Sequence, residues 1–536
     1  MLDTDRLEER INREMAAAKV PGASLCVIHD KEVVYANGFG TTSVEDGGLP
    51  VTPRTLFRIG STSKPLTATA MLRLIEQEDL DLDRPVKSYI PWFALKDSDA
   101  SAKVTVRHVM THTSGLAVDA AHWGPRDPNG LERYVRDEIP GYDLVADPGE
   151  VFQYSNPAVD VAGYVAEVVA GKHFSDLMQE LVFDPLEMSR TTLDPLVAMT
   201  YPLAQSHDVD EEGNLRVQHR FADHVGNYPA GFVISTALDM ANFALMLLGR
   251  GSFKGVQILQ PESFEEMTSP QARTFMAPRH AYGLMMMVGE YRGLPRFGHG
   301  GGISTFQSQF ELMPDSGSAV ILQSNRVGEQ FNAGALVQSI FDELLDLPAQ
   351  DPGFADHPAD RSRWPRYEGR YLAPMAGVAE VKVDGDELRI RYQGEELPLR
   401  CVDDDFYIAE AGTETKVAIG FRVPEGDGSD PVEWAALMGM PARRTEGEEV
   451  AVDPAELAAL AGTYGGDFAG QTWLLEIEAE EERLVAKVLQ PMQQSGVPLT
   501  AMGGRQFASP SGIIEFDEGD PAPSLSIAKQ LVLHRQ

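Results

Sequence analysis

Two side chains three residues apart, Ser61 and Lys64 in the stretch Ile59-Gly60-Ser61-Thr62-Ser63-Lys64-Pro65-Leu66, have the types and spacing of a nucleophile and its proton partner. Residues i and i+3 of a helix share a face, so hydroxyl and amine would point into one space. A serine hydroxyl attacks a carbonyl poorly until a neighbour takes its proton, and a nearby lysine can relay that proton and stabilise the alkoxide. Taken alone, the pair also reads as a helix N-cap beside an ordinary lysine. Partners elsewhere in the chain have to decide.

Two further stretches offer them. Asp147-Pro148-Gly149-Glu150-Val151-Phe152-Gln153-Tyr154-Ser155-Asn156-Pro157 puts Tyr154 and Asn156 in a tight loop ahead of a helix with Ala158, Val161, Ala162, Val165 and Val169 on one face, ended by Gly171. Tyr154 by itself reads as a packed aromatic rather than a base. Phe297-Gly298-His299-Gly300-Gly301-Gly302-Ile303-Ser304 places glycines at the start of a strand, where a ligand can approach and pair with the backbone; the alternative is a plain glycine bulge. His112, in Thr111-His112-Thr113-Ser114-Gly115-Leu116, reads as a turn histidine satisfied by local backbone. Met285-Met286-Met287 reads as core.

The elements that must position these groups follow from periodicity. Leu7, Ile11 and Met15 mark a first helix, and residues 23–28 and 32–37 form a hairpin about His29-Asp30-Lys31. Ala68, Met71, Leu72 and Ile75 give the Ser61 helix one apolar face, placing Ser61 at the inner end of a core helix with Pro65 in its first turn. Thr236 and Asp239 stand in capping-box spacing ahead of Met240, Phe243, Ala244, Leu247 and Leu248. Strand patterns over 305–312 and 319–322 flank a turn at Pro314-Asp315-Ser316-Gly317. Phe331, Leu336, Ile340, Phe341, Leu344 and Leu345 form a closing helix.

These elements predict a first domain over 1–348, a linker over 349–365, and two small antiparallel β-barrels over 366–445 and 455–536. The barrels are a repeat. Gly369-Arg370-Tyr371 matches Gly462-Thr463-Tyr464, Leu388 matches Leu484, Leu397-Pro398-Leu399 matches Val497-Pro498-Leu499, and Phe406 matches Phe507. The second copy carries a longer loop, Gln490-Pro491-Met492-Gln493-Gln494-Ser495-Gly496.

A formal charge of -36, from 45 basic and 81 acidic residues, argues against a nucleic-acid or anionic-membrane surface. Cys26 and Cys401, the two cysteines, suggest neither a disulfide framework nor a zinc site, and the chemistry asks for no metal or cofactor. No run of about 18 apolar residues spans a membrane. The charged start Met1-Leu2-Asp3-Thr4-Asp5-Arg6 lacks an apolar signal core, so the expected compartment is cytoplasmic.

With Leu56-Phe57-Arg58-Ile59-Gly60 before the serine, Pro148-Gly149-Glu150 before the tyrosine, the Thr111 to Leu116 stretch and Tyr282-Gly283-Leu284, the chain resembles the serine β-lactamase and penicillin-binding superfamily, in its class C β-lactamase-like branch, over roughly residues 5–345. The resemblance implies an α/β (α+β) catalytic domain with an antiparallel sheet and a helical lobe. It implies Ser61 as acylated nucleophile and Tyr154 as general base, its proton affinity lowered by Lys64. Asn156 would orient Lys64 and the substrate carbonyl, and the backbone N–H groups of Ser61 and Gly302 would form an oxyanion hole, Gly301 being the weaker second donor. The branch usually carries Lys-Thr-Gly at the third motif, whose ammonium attracts a carboxylate. His299-Gly300-Gly301 commits the site less to penicillins.

That motif, with two lipocalin-like barrels, resembles the D-stereospecific aminopeptidases, in which a last-barrel loop reaches into the cleft; the 490–496 loop is the matching segment. The implied substrate is a small D-amino-acid amide or short peptide, with room for a homo-oligomer. The alternatives are a β-lactamase-like esterase, a β-lactamase or D-Ala-D-Ala carboxypeptidase, a peptide cyclase or thioesterase, and a non-catalytic binding protein.

Overall fold

The structure is a computed structural model that describes the chain apart from residues 1, 78, 118–123, 211, 329–330, 349–352, 374–375, 412–413, 425–428, 446–452, 469–470, 481–482, 491–496, 504, 510–511, 520 and 528–530. It divides into two compact units, Met1–Arg273 with His280–Pro352, and Thr274–Arg279 with Gly353–Gln536. Among the described residues no helix is long and apolar enough to cross a membrane.

In the first unit, helix Thr4–Ala17 starts where the Asp3 carboxylate accepts the Arg6 N–H at 3.1 Å, and it buries Leu7, Ile11 and Met15 as its period requires. The hairpin Gly22–His29 and Glu32–Gly40 begins an eight-stranded antiparallel sheet. Its order continues through Ser318–Ser324, Phe306–Met313, Leu294–Ile303, Met287–Tyr291, Ala281–Tyr282 and Ala272–Arg273.

The two-residue period sorts side chains between its faces. Ala23, Leu25, Val27, Val320 and Leu322 pack with the first helix and with Leu336, Val337, Ile340 and Phe341 of helix Ala333–Leu344. Cys26, Ile28, Ala319 and Ile321 face the larger core that also holds helices Ser63–Glu76, Asn156–Ala170 and Ala237–Leu248. The last of these is capped as its sequence predicts, Thr236 Oγ1 accepting the Asp239 N–H at 3.0 Å.

Helix Ser63–Glu76 differs from the one-sided helix expected. Every residue from Ser63 to Leu72 is buried, Thr67 and Thr69 included. The threonines are tolerated because their hydroxyls donate to the carbonyls of Pro229 and Pro65, at 2.8 and 2.9 Å. The glycine run also differs. It lies inside strand Leu294–Ile303, whose register against Phe306–Met313 runs unbroken from Phe297 to Ile303, so there is no bulge.

The second unit contains both repeat copies. The second closes into an eight-stranded barrel from Gly462–Phe468 to Leu531–Arg535. The first is a nine-stranded sheet with Glu395–Pro398 at one edge and Arg400–Asp403 at the other. Where the second copy runs one strand, Val497–Gly503, against both neighbours, the first breaks at Leu399, whose N–H goes to Leu388 at 2.8 Å.

The repeat extends to side chains. The Tyr371 hydroxyl donates to the Tyr367 carbonyl at 2.9 Å and the Tyr464 hydroxyl to Leu460 at 2.8 Å, with Arg444 and Arg535 over the respective rings. One sequence match is off by a residue. Cys401 pairs with Tyr407 as Ala501 pairs with Phe507, so Tyr407 is the counterpart of Phe507 and each lies in the hydrophobic core of its copy. Phe406 points the other way, onto Phe275 of the Thr274–Arg279 segment, with ring centroids 5.9 Å apart.

Candidate active site

Ser61 lies in a single 3-10 turn, Gly60–Thr62, between the short strand Phe57–Arg58 and helix Ser63–Glu76. Phe57–Arg58 pairs with Ile234–Ser235, and the Ile59 N–H continues onto the Val233 carbonyl at 3.1 Å. Ser63 ties the turn from inside, donating to the Gly60 carbonyl at 2.7 Å and accepting the Val233 N–H at 3.1 Å. Ser61 does not cap the helix, which removes the N-cap reading of its hydroxyl.

The glycine strand forms the floor of this turn. A Cβ on Gly301 would stand 2.0 Å from the Ile59 carbonyl oxygen and 2.5 Å from Ser308 Oγ, so only glycine lets the turn settle on the strand. Ser308 Oγ donates to the Ile59 carbonyl at 2.7 Å and meets Thr62 Oγ1 at 2.6 Å. Gly302 is exposed, and its backbone nitrogen lies 2.6 Å from where a Gly60 Cβ would be, beside the peptide that leads into Ser61. Gly300 faces the Gln309 side chain.

Lys64 is fully buried, its nitrogen 3.0 Å from Ser61 Oγ, 2.8 Å from Asn156 Oδ1 and 2.7 Å from the Ala230 carbonyl oxygen. Burial pushes its pKa down to about 7, against the opposing pull of the Asp160 carboxylate. Tyr154 is bonded to Ser61, and its ring lies 4.8 Å from the Lys64 nitrogen. Burial raises the Tyr154 pKa above the ordinary tyrosine range, more than the Ser61 hydrogen bond lowers it. The sequence reading expects Lys64 to lower the proton affinity of Tyr154, and burial works in the opposite direction. Desolvation removes charge from both groups, leaving the phenol protonated and the amine readily neutral.

The Lys64 contacts accommodate both protonation states. A neutral amine has two N–H donors and one lone pair. Ala230's carbonyl and Asn156 Oδ1 can only accept, so they take the two N–H groups and the lone pair is left to Ser61 Oγ, whose hydroxyl can donate. Asn156 starts helix Asn156–Ala170, with Ser155 as its N-cap accepting the Ala158 N–H at 3.2 Å. Four residues on, buried Asp160 accepts the Ala230 N–H at 3.1 Å.

His299 is 1% exposed, with its ring centroid 6.2 Å from that of Tyr154. Its Nδ1 meets the Gly300 carbonyl at 2.6 Å and must carry the proton, so Nε2 accepts from the Tyr282 hydroxyl at 3.0 Å. Desolvation, followed by the field of Lys64, pushes its pKa down to about 3. The third wall therefore carries no imidazolium.

His112 occupies the left-handed region at φ 58° and holds the Tyr154 loop from both sides. Its carbonyl accepts the Gln153 N–H at 2.7 Å, its Nδ1 accepts the Ser155 N–H at 3.1 Å, and its ring centroid is 4.3 Å from that of Tyr154 and 4.6 Å from that of Tyr282. The sequence reading of a turn histidine satisfied by local backbone does not hold: its bonds go to the 153–155 loop, far along the chain, and its Nε2 is buried without a hydrogen-bond partner among the described residues.

The structure thus brings Ser61, Lys64, Tyr154 and Asn156 together, with the His299 ring near that of Tyr154 and Gly302 beside the serine. The 490–496 loop lies outside the described residues but for the backbone of Gln490, which ends strand Leu484–Gln490. Sequence reasoning missed Asp160, Ala230, Tyr282 and the contribution of His112. Asp160 had a readable signal, a carboxylate on the buried side of an apolar helix four residues from Asn156. Ala230 had none.

A family model described as Beta-lactamase matches residues 7–343. Penicillin-binding protein 4 of Amycolatopsis lactamdurans is 28% identical over 352 residues, 63% of this chain and 87% of that one. Esterase EstB of Burkholderia gladioli is 32% identical over 200 residues, 34% of this chain and 50% of that one. Among solved structures, the octameric penicillin-binding protein homologue from Pyrococcus abyssi is 26% identical with a TM-score of 0.59, covering 82% of this chain and 100% of its own. SurE, solved with D-Leu, shares the fold at 23% identity and a TM-score of 0.57, covering 82% of this chain and 99% of its own.

Proposed function

The chain belongs to the beta-lactamase family of serine hydrolases, and from that premise we propose that it hydrolyses small D-aminoacyl amides, releasing an N-terminal D-residue, through an acyl-enzyme on Ser61. The observation that carries the chemistry is the set of three contacts around the Lys64 nitrogen, two of them to obligate acceptors. Neutral Lys64 takes the Ser61 proton as Oγ bonds to the substrate carbonyl carbon. The oxyanion forms against the Ser61 and Gly302 N–H groups. As the C–N bond breaks, Tyr154 gives its proton to the leaving amine and recovers one from Lys64. Water then enters by the reverse proton path and frees the acid.

Charge supports the substrate class. A neutral His299 leaves the third wall without the cation that would draw a substrate carboxylate, and a net charge of -36 favours a cationic substrate over an anionic one. An aminoacyl amide, with an ammonium and no carboxylate, fits both. SurE holds D-Leu in its structure, which agrees with a D-configured acyl group.

The experiment is intact-mass detection of the acyl-enzyme across matched D- and L-aminoacyl amides and esters, with Ser61→Ala as control. Amides of the D-series no better than those of the L-series would end the stereochemical part. An esterase is the second reading, favoured by the 32% identity to EstB; acylation by the ester alone, with the matched amide inert, would select it. The octameric Pyrococcus homologue supports a homo-oligomer here too, which light scattering would test.

A further inference from the structure

Behind Lys64 lies a carboxylate that the serine, tyrosine and asparagine chemistry does not use. Asp160 is fully buried on helix Asn156–Ala170, one helical turn beyond Asn156 and on the same face. Its Oδ1 accepts the N–H of Ala230, and the carbonyl of that residue accepts Lys64 Nζ. One residue thus joins the carboxylate to the amine, N–H on one side and C=O on the other. The two groups belong to adjacent peptide planes, and the helical turn Tyr228–Gly231 sets the one against the other, so holding the N–H of Ala230 helps to hold the residue whose carbonyl meets the amine. Burying an ionisable carboxyl there is costly unless a positive partner answers it, and Lys64 is the cation it acts on.

We propose that Asp160 is a positioning residue for Lys64: it holds Ala230, the residue whose carbonyl receives the amine, and sets a buried carboxylate behind that amine. The groups facing Lys64 come from each surrounding element. Ser61 is on its own turn, Tyr154 and Asn156 are on the loop and helix start, His112 is on the turn before them, and His299 is on the glycine strand. Both histidines are held neutral by burial, so neither competes with Asp160 over the range in which Lys64 titrates. The device keeps the amine from being neutral at too low a pH, where it would be a weak base for Ser61.

This inference rests on Lys64 serving Ser61, so its test reads Lys64 directly as well as the reaction. In full-length protein labelled with lysine carrying 13C at Cε, the Lys64 signal is assigned by its loss in Lys64→Arg and titrated in wild type, Asp160→Asn, Asp160→Ser and Asp160→Glu. The two uncharged variants should lower the midpoint by about one pH unit, and Asp160→Glu should return it toward wild type. With a neutral acylating probe on Ser61, the ratio of rate at pH 6 to rate at pH 9 should rise about fivefold in Asp160→Asn, since more of Lys64 is then neutral at pH 6. An unchanged midpoint in a folded uncharged variant overturns the proposal. So does a uniform fall in rate with no change in the ratio, which would make Asp160 a packing residue only. A shifted midpoint with no acylation of wild-type Ser61 would leave Asp160 standing and overturn the hydrolase mechanism instead.

Discussion

The Lys64 nitrogen and the Ala230 carbonyl oxygen are 2.7 Å apart, and a carbonyl can only accept. Together with Asn156 Oδ1, that contact uses both N–H groups of the neutral amine and directs its lone pair to the serine. The charged form is met as well, because Ser61 Oγ can turn from donor to acceptor. A base that is satisfied before and after it takes a proton needs little rearrangement of its neighbours, which is what preorganised catalysis requires.

The pH dependence should report this amine. In the proposed mechanism Lys64 acts when neutral, and its pKa is pushed down to about 7, so kcat/KM should fall tenfold per unit below that point and level off above it. The substrate must not itself titrate, so an N-acylated amide or a neutral ester is the right one. A profile that climbs instead through the ordinary tyrosine range would restore the tyrosinate as base.

Tyr154→Phe should separate proton delivery from binding. The ring contacts with His112 and Tyr282 remain, and only the hydroxyl bonded to Ser61 is lost. The expected effect is a fall of about 10²- to 10⁴-fold in kcat on amides, with KM little changed. Esters, whose leaving groups need less protonation, should suffer less. Equal losses on a matched ester and amide would assign Tyr154 to orientation rather than proton transfer.

Much of this arrangement was legible, for physical reasons that differ by residue. Ser61, Lys64, Tyr154 and Asn156 are adjacent in pairs, so local spacing exposes them. Asn156 and Asp160 share a face for the same reason, but an acid within an apolar helix gives no hint of its partner. Ala230 contributes only backbone, and no side-chain pattern can announce a carbonyl. Tyr282 and His299 meet across strands, at a distance fixed by register. The proton affinity of Tyr154 was read from its charged neighbour alone, whereas burial, which no local spacing announces, pushes it upward. In the repeat, Phe406 was matched to Phe507 by residue type, whereas Tyr407 holds the equivalent position; a slip of one residue turns a side chain to the other face of a sheet.

His112 should be intolerant of Ala and partly tolerant of Asn. Alanine leaves the Ser155 N–H without its acceptor and removes the ring stacked on Tyr154, a loss of about 1–3 kcal/mol from the unsatisfied donor alone. Asparagine tolerates the left-handed backbone at φ 58° and keeps a side-chain acceptor. Denaturant unfolding and kcat, measured on both variants, should rank wild type above Asn above Ala. Full activity in a folded His112→Ala protein would show that the Tyr154 loop holds itself.

The glycine strand gives the sharpest contrast between neighbours, because consecutive residues face opposite sides of the sheet. Gly301→Ala would drive a methyl group against the Ile59 carbonyl, 2.0 Å away, and against the Thr62 and Ser308 hydroxyls that seat the nucleophile turn. Relief requires the turn to lift, at about 1–3 kcal/mol, and acylation of Ser61 should fall with it. Gly302→Ala meets nothing nearer than the Phe306 carbonyl oxygen at 3.9 Å, so its stability should stay within about 0.5 kcal/mol of wild type. Its N–H remains, yet the new methyl group stands on the exposed face beside the serine, so any loss should appear in KM for bulky acyl groups before kcat. Thermal unfolding with a two-substrate comparison tests both. Equal destabilisation by the two substitutions would mean that the turn does not rest on Gly301.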